Sequence, residues 1–160
     1  MAQGKKSFTL DDLLPGGSTY HQLQPQNLYT AWWGDRLVDT DLDGCHEINP
    51  KDGSKKVLFT LSQLNQWLGA GEDSSVVHSC YNVEFPDGGQ PWVATVVSGK
   101  GKNGGKPTSI YTVVDFKSGK KVWEQEYPAD ATALDRSPSS NSLAFVRQHN
   151  LYVTTKEGQT

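Results

Sequence analysis

The sequence predicts an all-β fold, a partial β-propeller of about two and a half blades of antiparallel strands with short helical segments. Three observations predict it. Sixteen Gly and eight Pro in 160 residues supply the turns that many short strands need. An apolar content of 35%, with five Trp and six Tyr, suits an aromatic-rich β protein better than a helical bundle. Three extended runs share a Lys-x-Gly turn, "INPKDGSKKV", "VDFKSGKKV" and "YVTTKEG", with glycines at Gly53, Gly119 and Gly158. The second interval, 39 residues, is near the length of a four-stranded blade, and the first, 66 residues, fits a blade carrying insertions.

In chain order, "SFTLDDLLPGGSTY" (Ser7–Tyr20) reads as a capped helical or turn segment that stops at Pro15-Gly16-Gly17. "LYTAWWG" and "RLVDTD" are strands flanking a bend at Gly34-Asp35. "HEINPKDGSKKVLFTL" (His46–Leu61) is two strands around a Lys-Asp-Gly turn. "SQLNQWL" (Ser62–Leu68) places apolar residues at 64, 67 and 68, the spacing of a helical turn or two. Gly69–Ser75 is a linker. "SVVHSCYNVEF" and "PWVATVVS" are expected to form a hairpin about Pro86-Asp87-Gly88-Gly89. "SIYTVVDFKSGKKVWEQEY" (Ser109–Tyr127) is a hairpin turning at Lys117-Ser118-Gly119. "SPSSNSLAFVRQHNLYV" (Ser137–Val153) is a turn and two short strands joined at Arg147-Gln148-His149-Asn150. The expected division is an N-terminal extension (1–20), a first blade (21–68), a second (76–128) and the start of a third (129–160).

A net charge of −3 argues against a nucleic-acid partner held by charge alone. No apolar run approaches the ~20 residues of a membrane-spanning helix. The first six residues lack the apolar stretch of a signal peptide, although Ala2-Gln3 fits the tail of a cleaved one. Cys45 and Cys80 have no metal-ligand spacing and are read as two partly buried thiols rather than a bridge.

Four motifs bear on chemistry. "GKGKNGG" (Gly99–Gly105) spells G-x-G-x-x-G, but a β-branched run follows where a dinucleotide site needs a helix, and a kinase loop would need a D-F-G that the chain lacks; a solvated hairpin tip is expected. "DTDLDGCHE" offers Asp39, Asp41, Asp43 and Glu47 as a calcium cage, but Pro50 stands where a bidentate Glu should close it, so an acidic surface turn is the expectation. No Ser sits in G-x-S-x-G, and His21, His46, His78 and His149 build no relay; no catalytic, cofactor-binding or metal-binding residue is assigned. Of the adjacent Trp32 and Trp33, strand alternation sends one into the core, which favours packing over a sugar-stacking platform.

"FTLDDLL", "LYTAWWGDRLV", "SIYTVVDFKSGK" and "LDRSPSSNSLAFVRQHNLYV", in that order, resemble the start of the dipeptidyl peptidase IV family of the prolyl oligopeptidase superfamily. The last is similar to that family's repeated element, Trp/Leu-x-x-S-P-x-G-x-x-(I/L)-A-(Y/F)-V-x-x-N-x-(I/L)-Y-V. The resemblance covers residues 7 to 155. It implies an N-terminal portion of an eight-bladed propeller whose parent carries a C-terminal α/β-hydrolase domain with the Ser, Asp and His of the triad. This chain would then be no enzyme by itself. Its partners would be the rest of the propeller, that hydrolase domain and the parent's peptide substrates, and the two blade faces that an isolated arc leaves open predict association with copies of itself. The family's setting implies a periplasmic or secreted protein, and no cofactor.

The family's adjacent Glu pair, which holds a peptide's amino group, would lie beyond residue 160. Its carbonyl-binding Arg would fall in "SGKGKNGGKPT", which has Lys100, Lys102 and Lys106 but no Arg; Arg36, Arg136 and Arg147 lie elsewhere. No functional residue is therefore carried over. The competing expectations are a stand-alone β-rich module binding a protein or glycan, with or without calcium, and, more remotely, a nucleotide-using enzyme.

Overall fold

The computed structural model describes residues 7–20, 29–70, 76–99, 106–138 and 140–154. After a short helix, α1 (Leu10–Leu13), the chain builds three antiparallel sheets in sequence order. The first is β1 (Thr30–Trp33), β2 (Arg36–Thr40), β3 (Gly44–Ile48) and β4 (Lys55–Thr60). Helix α2 (Leu61–Trp67) follows it. The second sheet is β5 (Trp92–Gly99), β6 (Thr108–Asp115) and β7 (Lys120–Pro128); the third is β8 (Thr132–Arg136), β9 (Leu143–Arg147) and β10 (Asn150–Val153). Within each sheet every strand pairs only with its neighbour in sequence, the meander of a propeller blade. The fold is an all-β partial propeller with short helices.

The repeat inferred from Lys-x-Gly is a repeat of structure. Gly53 and Gly119 both have φ +70, and each donates its N–H at 2.8 Å to the carbonyl four residues back, Asn49 and Asp115. The side chains of those same residues accept from Lys51 and Lys117 N–H, at 3.0 and 2.9 Å. Each turn joins the last two strands of its sheet. The third copy, at Gly158, lies outside the described residues.

Helices α1 and α2 each begin on a Thr cap. Thr60 Oγ1 accepts from Gln63 N–H while Gln63 Oε1 accepts from Thr60 N–H, a reciprocal box that turns β4 directly into α2. Asp12 Oδ2 takes the N–H and the hydroxyl of Thr9.

Two cores lie between the sheets. Trp33, Val38, Phe59, Leu64, Val93 and Phe116 fill the first, joining sheets one and two. Trp33 Nε1 donates to Gln90 O at 2.8 Å, and its ring meets the Phe116 edge at 5.1 Å. Tyr111, Val113, Tyr127, Leu143 and Phe145 fill the second, joining sheets two and three. Alternation separates the two adjacent tryptophans: Trp33 is buried and Trp32 exposed. Trp92 and Trp123 pack partly buried on the second core.

Two strand readings need correction. The expected hairpin about Pro86–Gly89 has only one strand, β5; the stretch before it makes a single bridge, Glu84 to Ala94. Its backbone is satisfied elsewhere. Val76 and Val77 N–H donate to Asn65 Oδ1 at 2.7 and 2.9 Å, Val77 O accepts from Asn65 Nδ2 at 2.9 Å, and Cys80 N–H donates to Asp41 O at 3.0 Å. Conversely β8 was not anticipated. It pairs with β9 through an irregularity between Thr132 and Asp135, with Ala133 at φ 50.

Candidate functional site

A cavity of about 210 Å³ opens between the second and third sheets, lined by Glu84, Pro86, Tyr111, Leu134, Asp135, Arg136 and Pro138. Its polar groups come from three separate elements. The bridge to Ala94 fixes Glu84 by two backbone hydrogen bonds of 2.9 and 2.8 Å. Tyr111, in β6, donates its hydroxyl to Glu84 Oε2 at 3.2 Å. Burial, and then the Glu84 charge, push the Tyr111 phenol well above its usual range, so it is a hydrogen-bond donor at neutral pH. Arg136, at the end of β8, reaches Pro86 O from Nη1 at 3.4 Å, and its guanidinium lies 6.0 Å from the Trp123 ring centre. Among the described residues its buried Nε has no hydrogen-bond partner. A carboxylate, a phenol and a guanidinium thus share one small cleft, an arrangement able to orient a polar group carrying donors and acceptors. None of these was singled out as a site in the sequence. Glu84 sat in a stretch read as regular strand, and nothing local announced that Arg136 would face Tyr111 across a sheet boundary.

The acidic turn comes together only in part. Asp39 and His46 are cross-strand partners, so they share a face, and Asp41 follows on the same parity. One atom each from Asp39, Asp41 and His46 lie within 4.8 Å of one another. Glu47 pairs with Val38 and so lies on the other face, where its carboxylate is 3.8 Å from Arg36. Asp39 is buried and already paired with the Lys55 ammonium. Asp41 Oδ1 accepts from Asp43 and Gly44 N–H, both at 2.8 Å, which is the hydrogen bonding of a tight turn. The four-carboxylate cage does not assemble.

The core of the Gly-rich motif, residues 100–105, lies outside the described residues, as do His21 and the Lys100 and Lys102 positions. Lys106-Pro107 leads directly into strand β6, so no helix follows the glycines. His46, His78 and His149 lie on separate elements, and among the described residues none forms a hydrogen-bonded relay with Ser and Asp.

No family model matches the chain. The fold does match a solved structure, the crystal structure of a "putative dipeptidyl aminopeptidase IV" from Bacteroides ovatus, with TM-score 0.67 and 27% sequence identity. The match covers 95% of this chain and 20% of that one, so the chain spans about one fifth of the length of its relative. The resemblance carried by "LYTAWWGDRLV" and "SIYTVVDFKSGK" therefore holds in three dimensions: the chain is similar, over nearly all its length, to part of a dipeptidyl peptidase IV-like protein.

Proposed function

We propose that this chain is the non-catalytic N-terminal propeller portion of a dipeptidyl peptidase IV-like serine peptidase, and that it gates and positions peptides for a C-terminal hydrolase domain. The observation that carries the proposal is the 95% coverage at TM-score 0.67 by a chain about one fifth as long as its relative. In this reading 21–68 and 76–128 are successive blades and 129–160 begins a third, following an extension at 1–20. The remaining blades and the hydrolase domain are its partners. The parent works in the periplasm or outside the cell. Among the described residues no helix is long and apolar enough to cross a membrane.

The test is to read the coding sequence past codon 160 and assay its whole product on Ala-Pro and Gly-Pro reporter substrates. Further blade repeats, a G-x-S-x-G elbow and turnover that disappears on deletion of residues 7–154 are expected. The isolated chain should show no turnover of its own. A reading frame that stops at Thr160, with no peptidase domain, would overturn the proposal in favour of a stand-alone binding module.

A further inference from the structure

We propose that Cys45 and Cys80 are a modification site, closing into an intrachain disulfide that staples the first sheet to the segment entering the second. Cys45 sits in β3, opposite Thr40 of β2. Cys80 lies in the irregular stretch before β5, where its N–H donates at 3.0 Å to the carbonyl of Asp41, the residue after Thr40. That backbone bond brings the two cysteines to the same end of the β2–β3 pair, although 35 positions separate them in sequence. Both side chains are fully buried in one apolar cluster with Phe59, Leu64 and Val83. Each thiol is the strongest influence on the other's proton affinity, as two side chains that face one another within that cluster would be. Two buried thiols in one apolar cluster, on elements that no strand ladder joins, are placed for a bond that the surrounding core would accept without a polar cost.

In the docked, reduced protein the pair is shielded by burial from an external oxidant. Cys45 is held far above the usual thiol range by the Cys80 thiol and by burial, with Asp41 and Asp39 adding repulsion. Neither sulfur reaches solvent. Exchange therefore takes place during folding, before the 76–83 segment docks. The oxidant is a disulfide, for which oxidised glutathione serves as the probe. One cysteine thiolate attacks it, forming a mixed disulfide and releasing a glutathione thiolate. The second cysteine, losing its proton to solvent, attacks the protein sulfur of that mixed disulfide and releases the other glutathione. Two protein thiols are oxidised by two electrons, and one glutathione disulfide is reduced to two thiols.

The chain is refolded in a glutathione redox buffer, denatured without reductant, treated with maleimide and weighed, and its peptides are mapped. The expected result is a monomer that takes up no maleimide, with one peptide pair joining Cys45 to Cys80. Reduction should expose both thiols and lower the melting temperature by roughly 10 °C. That shift should vanish in Cys45→Ala and in Cys80→Ala. If either variant fails to fold, the mass and peptide map of the unaltered chain decide. Two free thiols after oxidative refolding, glutathione left on each cysteine, or bridges only between chains would overturn the proposal.

Discussion

Gly34 and Gly88 meet backbone to backbone across the junction of the first two sheets. A Cβ on Gly88 would stand 2.5 Å from Gly34 Cα, and one on Gly34 would stand 2.8 Å from Gly88 O. Gly34 also closes the β1–β2 turn at φ +62. Gly88→Ala is therefore expected to cost about 1–3 kcal/mol, because backbone rather than a movable side chain must give way. Gly89→Ala, whose Cβ would come no nearer than 3.4 Å to the Asp87 side chain, is the matched control. Urea midpoints of the two variants should separate clearly; equal midpoints would show that the junction is loose.

Asn65 acts as the strand partner that residues 76–77 lack. Its amide makes four backbone hydrogen bonds, two accepted and two donated, between 2.7 and 3.1 Å. Asn65→Ala should destabilise the chain by about 1–3 kcal/mol, since it leaves part-buried backbone groups on both sides without their partner. Hydrogen exchange at Val76 and Val77 should accelerate along with the loss. Unchanged protection there would mean that the segment is held by other contacts.

High pH should unfold the chain through its buried phenols. Tyr111 is raised first by burial and then by Glu84, and Tyr127 chiefly by burial. A folded-state value above the unfolded one keeps the proton on the native protein. The stabilisation is complete below about pH 10 and is lost as pH climbs past it, at no more than roughly 1.4 kcal/mol per pH unit for Tyr111. Denaturation midpoints between pH 8 and pH 11 should fall more gently in Tyr111→Phe than in the unaltered chain. Parallel curves would sink the assignment.

Millimolar calcium should leave the melting temperature where it is. The Lys55 ammonium already pairs with Asp39, the turn N–H groups occupy Asp41 Oδ1, and Glu47 faces away toward Arg36. Calorimetry showing sub-micromolar binding, abolished in Asp41→Ala, would contradict this.

Self-association is expected at tens of micromolar. Trp32, Val57, Leu151 and Val153 are exposed on strands, and each large apolar side chain left in water forgoes ~1.5–3 kcal/mol of burial. Sedimentation across a concentration range should show a shift to dimers or larger species, weakened in Leu151→Ser. A strict monomer at every concentration would show that these faces do not pair.

Strand alternation and turn chemistry were legible because they are local. "KDG" and "KSG" announce their own left-handed glycines, and Trp32-Trp33 announces one inward ring. The losses came where a distant side chain decided the outcome. Val76-Val77 looks like the start of a strand, yet its N–H groups bond to Asn65, 11 and 12 positions earlier. "ATALDR" gave no period-two signal because the ladder slips between Thr132 and Asp135. In the acidic stretch the sequence already argued against a cage through Pro50, and the pleat adds a reason that spacing does not show: Glu47 and Asp39 lie on opposite faces. The Glu84–Tyr111–Arg136 cleft joins three elements and has no signature in any one of them.

Because no strand waits for a later one within its own sheet, each sheet can close as it leaves the ribosome. The seams between sheets have no such freedom. Trp33 waits for Gln90, 57 residues further on, and its ring lacks an edge partner until Phe116 has emerged. Synthesis therefore passes through an interval in which the first sheet is formed and its largest buried side chain has little beyond the Arg36 guanidinium over its ring. That interval is when a chaperone or a second nascent copy would find this chain most adhesive.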